Sequence, residues 1–474
     1  MKRTIRVVFA VTVCSLVAAG SSLEAQQFPR NPKVDQIFAE WDKPDSPGCV
    51  VGVLQNGRFI YQRGYGMANL DYDIPNAPEM VYYVGSVSKQ FTAAAIGLLV
   101  LDGKISVDDD IRKYFPEMPD YGTPITVRHL VHHTSGIRDV YAIMGVAGLR
   151  MEDVFSDSEA VALIARQKAL NFKPGAQFLY TNSGYFLMAQ LVRRVTGKSL
   201  REFADERLFR PLGMTHTHFH NDPGHVMKKR AMSYEREEDG SYRISYIQNF
   251  DKIGAGGLYT NMEDLRKWDE NYYTHKVGGE ALQKLIHTRG VLTSGDTLPY
   301  AFGNNVASYR GLRTTEHGGA LMGYKAHILR FPEQHFTVLE TCNLGAINTG
   351  PLAEAVAEVY LGDKMGPKPP RTTAAAQRPR TADTTAAAAS AGYADLAGDY
   401  YSEEVDATYR VTWRDGRLTY SGHHIPTQVL VPTGPDTFRA GQQTVHFERS
   451  APGGPATGFT IGGGRAVGFQ FKRR

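Results

Sequence analysis

The spacing of apolar and polar residues changes period several times along the chain. Near the start, apolar runs at 49–55 and 58–63 flank Asn56-Gly57, a two-residue turn signal, and together predict a β-hairpin. A 3.6-residue period follows over 87–101 and again over 185–195, stopping near Gly103 and Gly197, so two helices closed by glycine are predicted. Apolar strand patterns return at 326–331 and 336–342. Strands at both ends of a helical middle predict an α+β fold, an antiparallel sheet flanked by helices.

Towards the C-terminus the period is two. Tyr409, Val411 and Trp413 share one face, Arg410, Thr412 and Arg414 the other, and Asp415-Gly416 turns the chain before Leu418 and Tyr420. Similar runs at 427–431, 444–448, 457–461 and 466–471 bring the expectation to about six to eight strands, enough for a small β-barrel-like domain. Between the two patterns, Pro367, Pro369, Pro370 and Pro379 stand among Ala and Thr with almost no large apolar group, which reads as a linker. The predicted segments are therefore 1–25, 26–363, 364–392 and 393–474.

Composition narrows the class. Across 474 residues, 42% hydrophobic and 22% charged residues suffice for a packed core and exclude a wholly disordered or collagen-like chain. A formal charge of +4 gives no reason to expect nucleic acid, and Lys228-Lys229-Arg230 and Arg473-Arg474 read as solvated surface. Lys2, Arg3 and Arg6 precede an apolar run at 7–20 and then Leu23-Glu24-Ala25, the order of a secretory signal, so segment 1–25 predicts export to the periplasm or beyond. That run is shorter than the roughly 20 residues needed to span a bilayer, so no membrane anchor is expected after cleavage. Cys49 and Cys342 then remain. Two buried free thiols are the plainer reading, and a single bridge stays open.

Candidate chemistry begins at Gly85-Ser86-Val87-Ser88-Lys89, where an apolar helix starts and a three-residue spacing puts Ser86 and Lys89 on one face. A helix start also offers free N–H groups to an oxyanion. A serine hydroxyl needs a base, and a phenol with its pKa lowered by a nearby cation can serve. Tyr180-Thr181-Asn182 lies on a loop at a helix entry; Tyr259-Thr260-Asn261 repeats the triplet, so the motif alone is ambiguous. His317-Gly318-Gly319 precedes two apolar strands, with paired glycines that permit close approach of a substrate or a second backbone.

In the order Ser86 to Lys89, Tyr180 to Asn182 and His317 to Gly319, these motifs resemble the serine β-lactamase and penicillin-binding-protein superfamily, specifically class C β-lactamases and the related esterases, D-aminopeptidases and D-Ala-D-Ala carboxypeptidases. Segments 130–136, 211–214 and 254–259 are similar to recurring stretches of that group, and the resemblance covers about 36–362. It implies that Ser86 is the acylated nucleophile, that Lys89 keeps Tyr180 partly deprotonated as base, and that Asn182 holds Lys89 and the substrate. It also implies an oxyanion hole of the Ser86 and Ala320 N–H groups beside His317, Gly318 and Gly319, and places the strands of Cys49 and Cys342 side by side, where a bridge is plausible. No cofactor is implied, and the partner is a small-molecule or peptide substrate.

The resulting expectation is an exported serine hydrolase acting on an ester or amide bond, with D-amino-acid peptides and cell-wall fragments among its substrates. A class C-like β-lactamase and a penicillin- or peptidoglycan-binding protein with little turnover remain alternatives. The first is weakened by His317, since many β-lactamases carry lysine there and an imidazole of ordinary pKa is mostly neutral at pH 7. His216, His218 and His220 alternate but lack a partner at metal-ligand spacing, so no metal is expected. His132, His133 and Ser135 are too close in sequence for triad geometry.

Overall fold

A computed structural model describes residues 28–245, 252–368 and 393–474. Segment 1–25, predicted as a secretory signal, and most of the predicted linker lie outside the described residues. Among those described, no helix is long and apolar enough to cross a membrane.

The hairpin at Asn56-Gly57 forms as β1 (Cys49–Gln55) and β2 (Arg58–Tyr65). It joins β3 (Asn305–Tyr309), β4 (Leu312–Leu321), β5 (Tyr324–Phe331) and β6 (Phe336–Cys342) in one antiparallel sheet ordered β3-β4-β5-β6-β1-β2. The first and last strands of the block are thus neighbours. Both faces of the sheet are covered, which the strand residues record by alternation: Val51 and Val53 belong to one buried cluster, Val50 and Leu54 to the other. On the first face lie α1 (Pro32–Phe38) and a C-terminal helix, Thr349–Leu361; on the second lies the helical middle. At the rim, Cys49 pairs with Cys342 in register, and their sulfurs form a disulfide. The plainer expectation of two free thiols is therefore corrected: the pairing of β1 with β6 puts both at the same end of adjacent strands, which sequence separation conceals.

The helical middle is organised around α2 (Ser88–Leu101), whose residues from Ser88 to Leu99 are all buried. Against it packs α3 (Asn182–Thr196), capped by the Thr181 side chain and closed by Gly197 in the left-handed conformation.

The C-terminal domain has nine strands rather than about six to eight. They run as β7 (Gly398–Ser402), β8 (Ala407–Arg414), β9 (Arg417–Gly422), β10 (Ile425–Val429), β11 (Val431–Gly434), β12 (Thr437–Ala440), β13 (Gln443–Arg449), β14 (Ala456–Gly463) and β15 (Ala466–Arg473). The order β10-β9-β8-β7-β15-β14-β13-β12-β11 makes a nearly closed barrel-like sheet. The extra strands are short and carry Pro426 and Pro432, which weakens their alternation. Inward Tyr400, Tyr409, Phe447, Phe459 and Phe471 fill the interior.

The two domains meet through a buried ion pair. Arg138 Nη1 lies 2.8 Å from Glu404 Oε1, with side chains only 1% and 5% exposed, and Arg138 Nη2 donates to Gly468 O of β15 at 2.9 Å. The Tyr409 hydroxyl of β8 donates to Val146 O across the same boundary.

Candidate active site

Ser86 sits in a single 3₁₀ turn, Gly85–Val87, that runs directly into α2. Gly85 has φ of +52°, a conformation that L side chains rarely adopt, and a Cβ there would lie 2.5 Å from the Ala320 amide nitrogen. A Cβ on Gly319 would in turn lie 2.0 Å from Val84 O and 2.9 Å from Ser86 N. Two glycines thus let the turn and β4 touch backbone to backbone. The Ser86 and Ala320 N–H groups, named together from the sequence, meet at one rim.

Lys89, in the first turn of α2, is fully buried. Its Nζ lies 3.0 Å from Ser86 Oγ, 3.0 Å from Asn182 Oδ1 and 2.6 Å from Ala255 O of the Gly-rich segment. Burial lowers the Lys89 pKa well below the usual lysine range, Asp139 opposing and Arg465 reinforcing that shift. Tyr180 faces the same point, its ring 4.9 Å from Lys89 Nζ and its phenol hydrogen-bonded with Ser86. Burial pushes the phenol above its ordinary value, and the Ser86 contact pulls the other way. Burial acts against the partly deprotonated phenol that the resemblance implies and shifts the amine towards its basic form.

The duplicated triplet separates by one residue of helix phase. Thr181 is the N-cap of α3, so Asn182 falls inside the first turn with its amide in the site. In the second copy Asn261 is itself the N-cap of α4 (Met262–Thr274), accepting from Asp264 N, and Tyr259 lies in a short strand paired with Tyr83.

His317 is placed at the cleft but turned inward. Its Nδ1 bonds to Gly318 O at 2.6 Å and its Nε2 to the Tyr300 hydroxyl at 3.1 Å. A carbonyl can only accept, so Nδ1 carries the hydrogen and Nε2 accepts from the phenol. Burial pushes the imidazole down to about 3. His317 therefore brings no positive charge to a substrate at neutral pH, and its pKa is not the ordinary one expected from sequence.

Three supporting residues escaped the sequence reading. Asp139 Oδ2 accepts from the Asn182 backbone N–H at 2.6 Å and its side-chain amide at 3.0 Å, fixing the group that holds Lys89. His133 is buried, accepts from Thr181 N–H at 3.2 Å and packs its ring 4.2 Å from that of Tyr180. It acts on Tyr180 and not on Ser135, whose Oγ accepts from Ile137 N–H. Arg465, from the β14–β15 turn of the barrel, lines the cleft with its guanidinium 4.9 Å from the Tyr180 ring centroid. Only the Thr181 to His133 contact had a sequence signal, the His-His-Thr-Ser-Gly stretch; the others are long-range.

The cleft encloses about 710 Å³ and is lined by Ser86, Tyr180, Asn182, His317 and Ala320 together with Arg465. Elsewhere, His218 and His220 face each other at 3.3 Å, and burial holds them down to about 3 and about 4. Among the described residues no group of three side chains is arranged to hold a metal ion.

A serine backed by a buried amine and a buried phenol, beside the backbone amides of Ser86 and Ala320, forms the candidate active site on an α+β scaffold. Residues 34–397 match the Beta-lactamase family, and the chain belongs to that family. A D-aminopeptidase from Gluconobacter oxydans (strain 621H) is 28% identical over 297 residues, 63% of this chain and 56% of that protein. The chain thus spans about half the length of this curated relative. An octameric penicillin-binding protein homologue from Pyrococcus abyssi superposes with a TM-score of 0.64 at 21% identity, covering 93% of this chain and 99% of that one. The D-amino acid amidase from Ochrobactrum anthropi SV3, complexed with L-phenylalanine, covers 71% of this chain and 100% of its own at a TM-score of 0.59 and 19% identity. At these identities the solved structures share the fold.

Proposed function

We propose that the protein is an exported hydrolase that cleaves an amide or ester bond through an acyl-enzyme on Ser86, acting on small D-amino-acid amides, peptides or cell-wall fragments. The observation that carries this reading is the 3.0 Å approach of Lys89 Nζ to Ser86 Oγ inside a buried site. A neutral amine gives its two hydrogens to Asn182 Oδ1 and Ala255 O, leaving its lone pair for the Ser86 hydroxyl. As Ser86 Oγ attacks the carbonyl carbon, its proton passes to Lys89, and the oxyanion is held by the Ser86 and Ala320 N–H groups. The carbonyl-to-leaving-group bond then breaks, and Tyr180, kept protonated by burial, donates its proton to the leaving atom. The proton on Lys89 restores Tyr180. Water then attacks the acyl carbon, returns one proton to Ser86 Oγ and releases the acid.

Similarity to D-aminopeptidases supports the D-amino-acid class. The neutral, inward-turned His317 weighs against a β-lactamase that would use a fixed charge at that position. Export is supported by the N-terminal charge and apolar pattern, and by a Cys49–Cys342 disulfide suited to an oxidising compartment.

Intact-mass analysis after treatment with a fluorophosphonate tests the reading. One adduct is expected on the wild type and none on Ser86→Ala; an unlabelled wild type overturns it. Rates on D-alanyl p-nitroanilide, p-nitrophenyl esters and nitrocefin then rank the substrates, and nitrocefin as the fastest would overturn the argument from His317. An N-terminus at Gln26 in protein recovered from the periplasm or medium is the expected sign of export.

A further inference from the structure

We propose that Arg465, supplied by the barrel domain, binds a carboxylate on the leaving group of the substrate; this rests on the acyl-enzyme reading above. The position of its guanidinium is built and not accidental. Arg465 is the second residue of a two-residue turn, Gly464-Arg465, joining β14 to β15, with Gly463 paired to Ala466. Such a turn normally ends in solvent, yet this one is fastened to the catalytic domain by its backbone. Arg465 O accepts from Asp139 N–H at 3.1 Å and from Asn171 Nδ2 at 2.9 Å, and Val467 N–H donates to Asn171 Oδ1 at 3.1 Å. Three residues beyond Arg465, Gly468 O takes the bond from buried Arg138. Asp139 is also the residue that fixes Asn182, so the turn and the Lys89 site share one anchor.

With its backbone held, the side chain reaches the cleft. The guanidinium stands over the face of Tyr180, remains exposed and has no acidic partner among the described residues. Tyr180 delivers its proton to the leaving atom, so the leaving group passes this cation. In a peptide, the α-carboxyl carbon lies about 2.5 Å beyond the departing nitrogen, within reach of a guanidinium on that side. A planar guanidinium matches a carboxylate in two parallel hydrogen bonds. The other free cation lining the cleft, Lys325, lies on β5 opposite Ala320, on the oxyanion side. None of the described lining residues is an Asp or Glu that would pair with the free α-ammonium of an aminopeptidase substrate. The site thus prefers to release a residue that carries its own carboxylate, a carboxypeptidase-like selectivity imposed by the second domain.

The test compares an N-acetyl-D-alanyl-D-alanine substrate with the same compound as its C-terminal amide, which differs only in the charge on the leaving group. The readout is the ratio of kcat/KM for acid over amide in wild type, Arg465→Ala, Arg465→Lys and Lys325→Ala. We expect the wild-type ratio to exceed one and to fall about 10- to 100-fold in Arg465→Ala, mainly through KM, with partial recovery in Arg465→Lys. Arg465→Glu should invert the ratio, which a merely structural loss would not do. An unchanged ratio in Arg465→Ala overturns the proposal, as does a ratio lost in Lys325→Ala but kept in Arg465→Ala. Fluorophosphonate labelling of Ser86 run alongside separates the two levels: labelled wild type with no acid preference sinks the Arg465 assignment alone.

Discussion

Lys89 and Tyr180 carry opposite pKa shifts for one reason, burial, because removing water disfavours ammonium and phenolate alike. Burial therefore biases both groups towards their neutral forms, and these are the forms the proposed chemistry needs. The sign of the pH dependence follows. The free amine of Lys89 is active, so kcat/KM rises as pH climbs through a value lying below the usual lysine range. The phenol of Tyr180 is active when protonated, so activity falls only above its ordinary value of 10.0. With His317 pushed down to about 3, no inflection near pH 6.5 should come from it. A pH–rate profile for ester hydrolysis is the check, and a loss of activity on raising pH through 6.5 would show that an imidazolium is required after all. At this scale the sequence was partly legible. Ser86 and Lys89 are local partners, one helical turn apart, and the family motifs pointed to Tyr180 over Tyr259. Asp139 and Arg465 were not, because nothing in a lone aspartate or a turn arginine records that the chain will fold back onto Asn182 or Tyr180.

Between residues and the whole molecule, the site depends on how closely β4 approaches the turn before α2. Gly319 has no room for a Cβ, and the nearest atom in the way is backbone, Val84 O, which cannot rotate aside. Gly319→Ala should therefore push β4 off the turn and separate the Ser86 and Ala320 amides. We expect kcat to fall about 10²- to 10³-fold, the range for loss of an oxyanion donor, with a stability loss of about 1–3 kcal/mol from overpacking. A change in KM alone, with kcat intact, would contradict this. The same sheet holds the disulfide, which joins the beginning of β1 to the end of β6 over a sequence separation of 293. Closing so long a loop restricts the unfolded chain, so replacing both cysteines by alanine should cost about 2–5 kcal/mol in thermal unfolding. Thiol titration of denatured, unreduced protein should find neither Cys49 nor Cys342 free. Both faces of β1 and β6 are covered; β1 was readable because its run is almost wholly apolar, and β6 because Phe336, Val338, Leu339 and Cys342 dominate its seven buried residues. Their adjacency was not readable from periodicity, since residues 56–335 intervene between them.

Across the whole molecule, the barrel is held to the catalytic domain by polar anchors at the boundary, and the strongest of these is buried. Glu404 Oε1 accepts from Arg138 Nη1 and from Lys168 N–H, both at 2.8 Å, while its Oε2 accepts from Gln470 N–H at 3.2 Å. Arg138 also reaches Gln167 Oε1 and Gly468 O, and lays its guanidinium over Phe469. One side chain therefore grips three parts of the barrel: the β7–β8 connection, the start of β15 and its aromatic interior. Arg138→Met removes the charge but keeps much of the volume, leaving Glu404 without its cation in a nearly dry boundary. Breaking a buried pair from one side costs about 3–5 kcal/mol, more than either partner contributes to a surface pair. The melting temperature should fall accordingly. Hydrogen exchange should rise first in 456–473, because those strands lose their hold on the catalytic domain before the barrel core opens. Adding Glu404→Leu to Arg138→Met should recover only part of the loss, since the part-buried N–H groups of Lys168 and Gln470 would lose their acceptor. If the single and double variants melt with the wild type and 456–473 exchanges no faster, barrel docking does not depend on the Arg138–Glu404 pair, and Arg465 owes its place over Tyr180 to the Asn171 and Asp139 contacts.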